Sequence, residues 1–276
     1  MTEEEWQETA AAQAVETFGF FMLTILMNIV GGVVGGLVSK GVTWLLKQRV
    51  EKAGLPPEKY AAVLDLNRDD ALRHALVLVA SWSALEAYLE DFSKAVLQAD
   101  MSILANKDFD KVKVPVAELL APEDEKLDNV YQAMQAFVGT KAGTKRFEEL
   151  VELLGLGGQV PKVIKDNVYN AQMIRNVWAH KAGVADLKFV RQAPQLGFTQ
   201  GQLVSISLEQ LRDYLIAILA YGMIVMNRYR ANCGLGPMPM TNDEGGEIID
   251  AYRDLYPPLQ QEEESAEDSS DSAGNH

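Results

Sequence analysis

Of the 276 residues one is cysteine, Cys233, which excludes an intramolecular disulfide framework and fits a reducing compartment. Histidine occurs three times, and no Cys/His cluster has the spacing of zinc ligands. A P-loop, a Rossmann glycine fingerprint and a G-x-S-x-G elbow are also missing. No cofactor and no metal is expected on these grounds. Basic residues are in deficit: 25 Lys and Arg stand against 39 Asp and Glu, a net charge of −14. That balance argues against broad electrostatic binding to nucleic-acid backbones, which normally uses a basic face. Part of the acidity is local. The end QQEEESAEDSSDSAGNH gathers six acids in a Ser-rich stretch without aromatics. Such a stretch cannot bury enough apolar surface to fold, so residues 236–276 are expected to be an acidic, disordered tail.

Apolar residues make up 48% of the chain, enough for one good core. Their longest concentration is TFGFFMLTILMNIVGGVVGGLVS, residues 17–39, which carries no charge. A run of roughly 20 apolar residues suffices to cross the hydrocarbon of a bilayer as a helix. Residues 1–16 before it are acidic, which is wrong for a signal peptide. Lys40, Lys47, Arg49 and Lys52 follow it, and Trp44 stands where an interfacial aromatic would be useful. The expectation is one transmembrane helix with its basic flank over residues 17–48, contacting the membrane through 17–39. The positive-inside rule then places the bulk of the protein on the cytoplasmic side of the cell membrane. Gly31, Gly32, Gly35 and Gly36 form two overlapping small-xxx-small pairs, a face through which two membrane helices could associate. Asn28 and Thr24 favour the other reading, a helix buried in a cytoplasmic oligomer.

After a two-proline linker, residues 49–64, the chain reads as helices. In the first long one, Leu72, Leu76, Val79, Trp82, Leu89, Phe92 and Val96 make an amphipathic stripe, interrupted by Glu86. A carboxylate there is either a paired structural acid or a polar lining of an interhelical cleft. A second helix opens near Pro122, and a short one over TKRFEELVELLGL closes at the glycines around Gly157. Another starts at Pro161 and stops at Gly183. LKFVRQAPQLGFTQGQLVSI looks extended, a loop or small hairpin. Ser207 and Gln210 then form a capping-box signature before a very apolar last helix, where Arg212 and Asp213 favour a protein core over lipid. The fold class is all-α, a bundle of four to five helices over residues 65–235.

The helix from Pro161 carries Arg175, Asn176 and His180 among Met173, Ile174, Val177 and Trp178. Histidine exchanges protons near neutral pH, arginine grips phosphate with a planar fork, and asparagine can orient either. Together these groups suffice to cleave RNA: a base takes the ribose 2′-OH proton, and arginine stabilises charge on the phosphorus oxygens. On a straight helix, however, Arg175 and His180 project roughly 140° apart. They could act together if the helix ends near His180, or if two copies meet about a two-fold axis. The ordinary reading of such a string is a histidine closing a helix and an arginine in solvent. Lys141, Lys145, Arg146, Lys162 and Lys165 are the basic residues near the trio in sequence. They are solvated helix surface or, for Lys145, Arg146, Lys162 and Lys165, RNA contacts.

RNVWAH, followed by KAGVAD, resembles the motif of the HEPN superfamily: Arg, a polar residue, then His, late in a core helix. SALEAYLEDF is similar to the first helix of HEPN groups in which an acid faces the motif helix, and VSISLEQLRDYLIAI to the closing helix. The subgroup it most resembles is the RiboL-PSP-HEPN type, over roughly residues 65–232. The resemblance implies a metal-independent endoribonuclease acting as a homodimer or higher oligomer on RNA. Arg175 and His180 would be catalytic, Asn176 supporting, and Glu86 a cleft residue. Such domains often serve as toxins or phage-defence effectors, a role that leaves room for an antitoxin or regulatory partner. Some relatives bind nucleotide, RNA or protein without turnover, and a structural membrane scaffold is the third alternative.

Overall fold

The computed structural model describes residues 1–31, 70–139, 141–240 and 246–257. Among them are ten α-helices and no strand. Short α1 (Glu3–Gln7) leads into α2 (Ala10–Gly31). The 30-residue α3 (Asp70–Ala99) follows, then two 3-10 turns and α4 (Val116–Leu119). Next come α5 (Glu123–Val138), α6 (Thr144–Leu153) and α7 (Lys162–Lys181). Short α8 (Leu187–Gln192), long α9 (Leu208–Asn232) and α10 (Glu247–Leu255) complete the order.

The centre is built by α2, α3, α7 and α9. Along α3 Leu78, Trp82, Leu85, Leu89, Phe92 and Val96 are among the fully buried positions, a run of three- and four-residue steps that keeps one face inward. Relative to the expected stripe, Leu76 and Val79 lie on its edge and Leu78 and Leu85 in its middle. The start of α9 is fixed as its sequence predicts: Gln210 N donates to Ser207 Oγ (3.1 Å) and Ser207 N to Gln210 Oε1 (2.9 Å). Beyond that cap Leu211, Leu215, Ile218, Tyr221 and Val225 are all buried, so this apolar helix is covered by protein.

The N-terminus departs from expectation. Helix α2 takes up residues 17–31 of the apolar run, and its Phe18 and Met22 are buried in the bundle. The Phe18 ring stacks on Tyr88 with centroids 4.7 Å apart, over the helix backbone at Gly222. Burial of each such side chain contributes about 1.5–3 kcal/mol. Charge-free length is shared by lipid-facing and protein-covered helices, and for this stretch protein covers one face. No helix among the described residues is long and apolar enough to cross a membrane. Gly31 is the last described residue of α2, whereas Gly32, Gly35, Gly36, the basic flank and the linker lie outside the described residues.

Both ends also dock. Trp6 of α1 is buried, Arg230 lies over its ring at 5.3 Å, and Arg230 pairs with Glu3. Residues 1–16 are therefore part of the folded body. Within the expected disordered tail, residues 236–276, α10 instead buries Ile248, Ile249 and Tyr252, while residues 241–245 and 258–276 lie outside the described residues. Asn227 of α9 donates to the Tyr252 hydroxyl (2.8 Å), which donates to Met238 O (2.7 Å). The segment read as extended also begins as a helix, α8, because the Asp186 side chain caps it by accepting from Phe189 N (2.8 Å). Among the described residues Val184 and Leu203 alone pair as an isolated antiparallel bridge.

Candidate functional site

Helix α7 runs unbroken from Lys162 to Lys181. Its inward face is Ile164, Val168, Ala171, Ile174 and Val177, all buried. The chain leaves the helix through two left-handed residues, Ala182 (φ 49°) and Gly183 (φ 80°), and Gly183 N bonds back to Val177 O at 3.2 Å. The indole of Trp178 packs over Gly183 and donates to Val204 O (2.9 Å), tying the helix end to the strand-like bridge.

Arg175 follows Ile174, one step round from the core, so its side chain is only 22% exposed. Glu86 follows the buried Leu85 on α3 in the same way. The two edges meet: Arg175 Nη2 lies 3.5 Å from Glu86 Oε2, and Arg175 Nη1 donates to Asn176 Oδ1 at 3.2 Å. The other Glu86 oxygen faces Arg146 Nη1 of α6 at 3.6 Å. Arg175 Nε is buried with no hydrogen-bond partner. Two guanidinium groups thus share one carboxylate at long range, and one of them keeps an unused donor.

Beside this cluster an open groove runs between α5, α6 and α7. Its polar walls are Gln132, Gln135, Lys141, Arg146, Gln172 and Asn176. Gln172 is fixed from behind, its Oε1 accepting from Gly143 N. Lys141 also pairs with Glu149.

His180 is exposed in the last turn of α7, five positions beyond Arg175. Because the helix continues past it, the two project roughly 140° apart and about 7.5 Å along the axis. The helix does end near His180, one residue beyond it at Lys181, and Arg175 and His180 still stand on different sides of α7.

The cluster therefore gathers Arg175, Asn176, Glu86 and Arg146. The other basic candidates lie elsewhere. Lys145 is exposed on α6. Lys162 pairs with Asp166, whose carboxylate holds the ammonium above its ordinary pKa. Lys165 is exposed one turn further on, about 15 Å along the axis from Arg175. Proximity in sequence grouped them with the trio, and the length of α7 separates them. Missed were the carboxamides Gln132, Gln135 and Gln172. A signal existed for the last, which is four positions before Asn176 and so on the same face. Among the described residues no group of three or more His, Cys, Asp or Glu could hold a metal ion.

The chain matches no family model, no curated protein and no solved structure.

Proposed function

We propose that the protein is a metal-independent endoribonuclease of HEPN type, working as a homodimer, in which Arg175 and His180 do the chemistry and Asn176 orients Arg175. The observation that carries this reading is the setting of Arg175: half-buried, held by Glu86 and by Asn176, which itself lines a polar groove. His180 takes the ribose 2′-OH proton, the 2′-oxygen attacks phosphorus, and the 5′-oxygen leaves with a proton returned to it. Arg175 stabilises the charge that builds on the non-bridging oxygens. The products are a 2′,3′-cyclic phosphate and a 5′-hydroxyl.

The test is incubation of the full-length chain with RNA in EDTA, beside His180→Ala and Arg175→Ala. Fragments with those two ends from the wild type alone support the reading. Fragments from all three, or from none, overturn it.

Attachment to a membrane belongs to the same proposal in a narrower form than a full span from residue 17. It would use the outward side of α2, where Phe20 is 75% exposed and Leu23 52%, together with residues 32–39. Recovery of all the full-length chain in the soluble fraction without detergent would exclude it.

A second reading is favoured by one observation, the engagement of Arg175 by Glu86 with His180 on another side of α7. It is a module that binds nucleotide or RNA without turnover. It predicts a raised melting temperature with RNA and no cleavage products.

A further inference from the structure

The groove beside Arg175 has a composition at odds with the rest of the chain. Acids outnumber bases 39 to 25 overall. Yet the groove is lined by two cations, Lys141 and Arg146, four carboxamides and no carboxylate. Lys141 is paired with Glu149, and Glu86 is reached from the core side by Arg146 at 3.6 Å and by neighbouring Arg175 at 3.5 Å. Both contacts are longer than a normal charge-assisted hydrogen bond, so neither guanidinium fork is filled. Two guanidinium groups converging on one carboxylate at 3.5 and 3.6 Å suit an anion with more acceptor oxygens than a carboxylate has.

We infer that this groove binds one nucleotide of an RNA strand, its phosphodiester on Arg146 and Arg175 in place of Glu86 and its base edge on Gln132, Gln135 and Asn176. Arginine matches phosphate with two parallel N–H donors, and carboxamides pair with base edges as both donor and acceptor. The chemistry explains how an acidic protein can hold a polyanion without a basic face: the attraction is confined to one notch. Glu86 is then the occupant of the phosphate position in the free protein, and it keeps the two arginines apart from each other. The inference rests on the reading of the protein as RNA-directed; of the basic residues proposed as RNA contacts it keeps Arg146, now on the same phosphate as Arg175, and it adds the carboxamide wall.

The test separates binding from cleavage. Its probe is a short fluorescent RNA in which every 2′-oxygen is methylated, so that it cannot be cut, and anisotropy is read with the full-length chain at several salt concentrations. Arg146→Ala should weaken binding about tenfold or more, the scale of one charge-assisted contact, and lower the slope of log affinity against log salt by about one. Gln132→Glu, a change at an exposed wall position that leaves the core untouched, should weaken it too by placing a carboxylate in the groove. Glu86→Gln should tighten it several-fold. Lys162→Ala, remote on α7, should leave it unchanged.

Binding that is undisturbed by both Arg146→Ala and Gln132→Glu overturns the groove while leaving the proposed ribonuclease to its own cleavage test. Loss in both variants, with no cleavage of ordinary RNA by the wild type, supports the groove and sinks the enzyme. Failure of the wild type to bind the probe at low salt overturns the inference. Retention of adenosine 5′-monophosphate without the RNA probe overturns RNA as the occupant.

Discussion

Glu86 Oε2 and Arg175 Nη2, 89 positions apart in sequence, meet at 3.5 Å where the edges of α3 and α7 face each other. The pair joins two long core helices where the edge of each turns from apolar Leu85 and Ile174 to a charged side chain. Its side chains are 35% and 22% exposed, so solvent screens it and the contact adds little to stability. Its consequence is positional. It fixes the guanidinium at the groove rim, turned toward Asn176. Glu86→Gln should accordingly shift unfolding by less than about 1 kcal/mol in urea. A loss of several kcal/mol would show that the pair is structural and that Arg175 is not free to exchange Glu86 for phosphate.

Gly222 lies where α2 crosses α9, and a Cβ added there would stand 2.5 Å from Phe18 Cε1. Gly222→Ala gains up to about 1 kcal/mol of helix propensity. It also forces the stacked Phe18–Tyr88 pair apart, and overpacking of this kind costs about 1–3 kcal/mol. The expected result is a net loss of stability in a urea melt, with faster proteolysis within residues 1–25. An unchanged melt would mean that Phe18 does not rest on α9 at Gly222 in solution.

Much of the scaffold could be read in the sequence because its signals are local. Pro161 starts α7, Gly183 follows its end, and Ser207 with Gln210 caps α9, each within four residues of what it controls. The role of α2 was not legible, since a charge-free run looks alike to lipid and to protein. What decides it is Tyr88 and Gly222, far along the chain. Helix α10 was hidden by the acids around it, although Ile248, Ile249 and Tyr252 sit at one-turn spacing. Around the site, Glu86 and Arg175 stood out as polar residues among core positions. The groove did not, because Gln132 and Gln135 are ordinary on a helix surface until α6 and α7 close around them.

Gly183 combines a left-handed φ of 80° with a Trp178 ring 2.9 Å from where a Cβ would stand. Gly183→Ala therefore strains the backbone and displaces the indole from Val204 O. A destabilisation of about 1–3 kcal/mol is expected. Indole fluorescence should shift to longer wavelength as Trp178 becomes wetter. Stability equal to wild type would exclude this account of how α7 stops.

The docking of α1 should depend on acid. Hydrogen bonding to Arg230 holds the Glu3 carboxyl below its ordinary value. A carboxyl lowered by folding stabilises the folded state above its unfolded pKa, and the effect is lost as pH falls through the folded value. Cleavage near the N-terminus by an acid-active protease should thus rise as pH drops below the usual carboxylate range. Glu3→Gln should show the raised susceptibility already at pH 7, with no further dependence from this group. A wild-type profile in that variant would remove Glu3 from the clamp.

Because α7 is continuous through His180, a working site needs Arg175 and His180 from different copies if the chain is a ribonuclease of the proposed kind. Arg175→Ala and His180→Ala homodimers then each lack one partner at both sites. A mixed dimer holds one site with neither residue and one site with both. Equal amounts, mixed through a denature–renature cycle, give about half mixed dimers by random pairing. RNA cleavage should return to about a quarter of wild type, starting from two inactive proteins. No recovery, with mixed dimers verified by two affinity tags, would show that each copy acts alone. The roughly 140° between the two side chains would then have to be closed by a bend in α7. Recovery would establish both the two-fold site and the roles of the two residues in a single measurement.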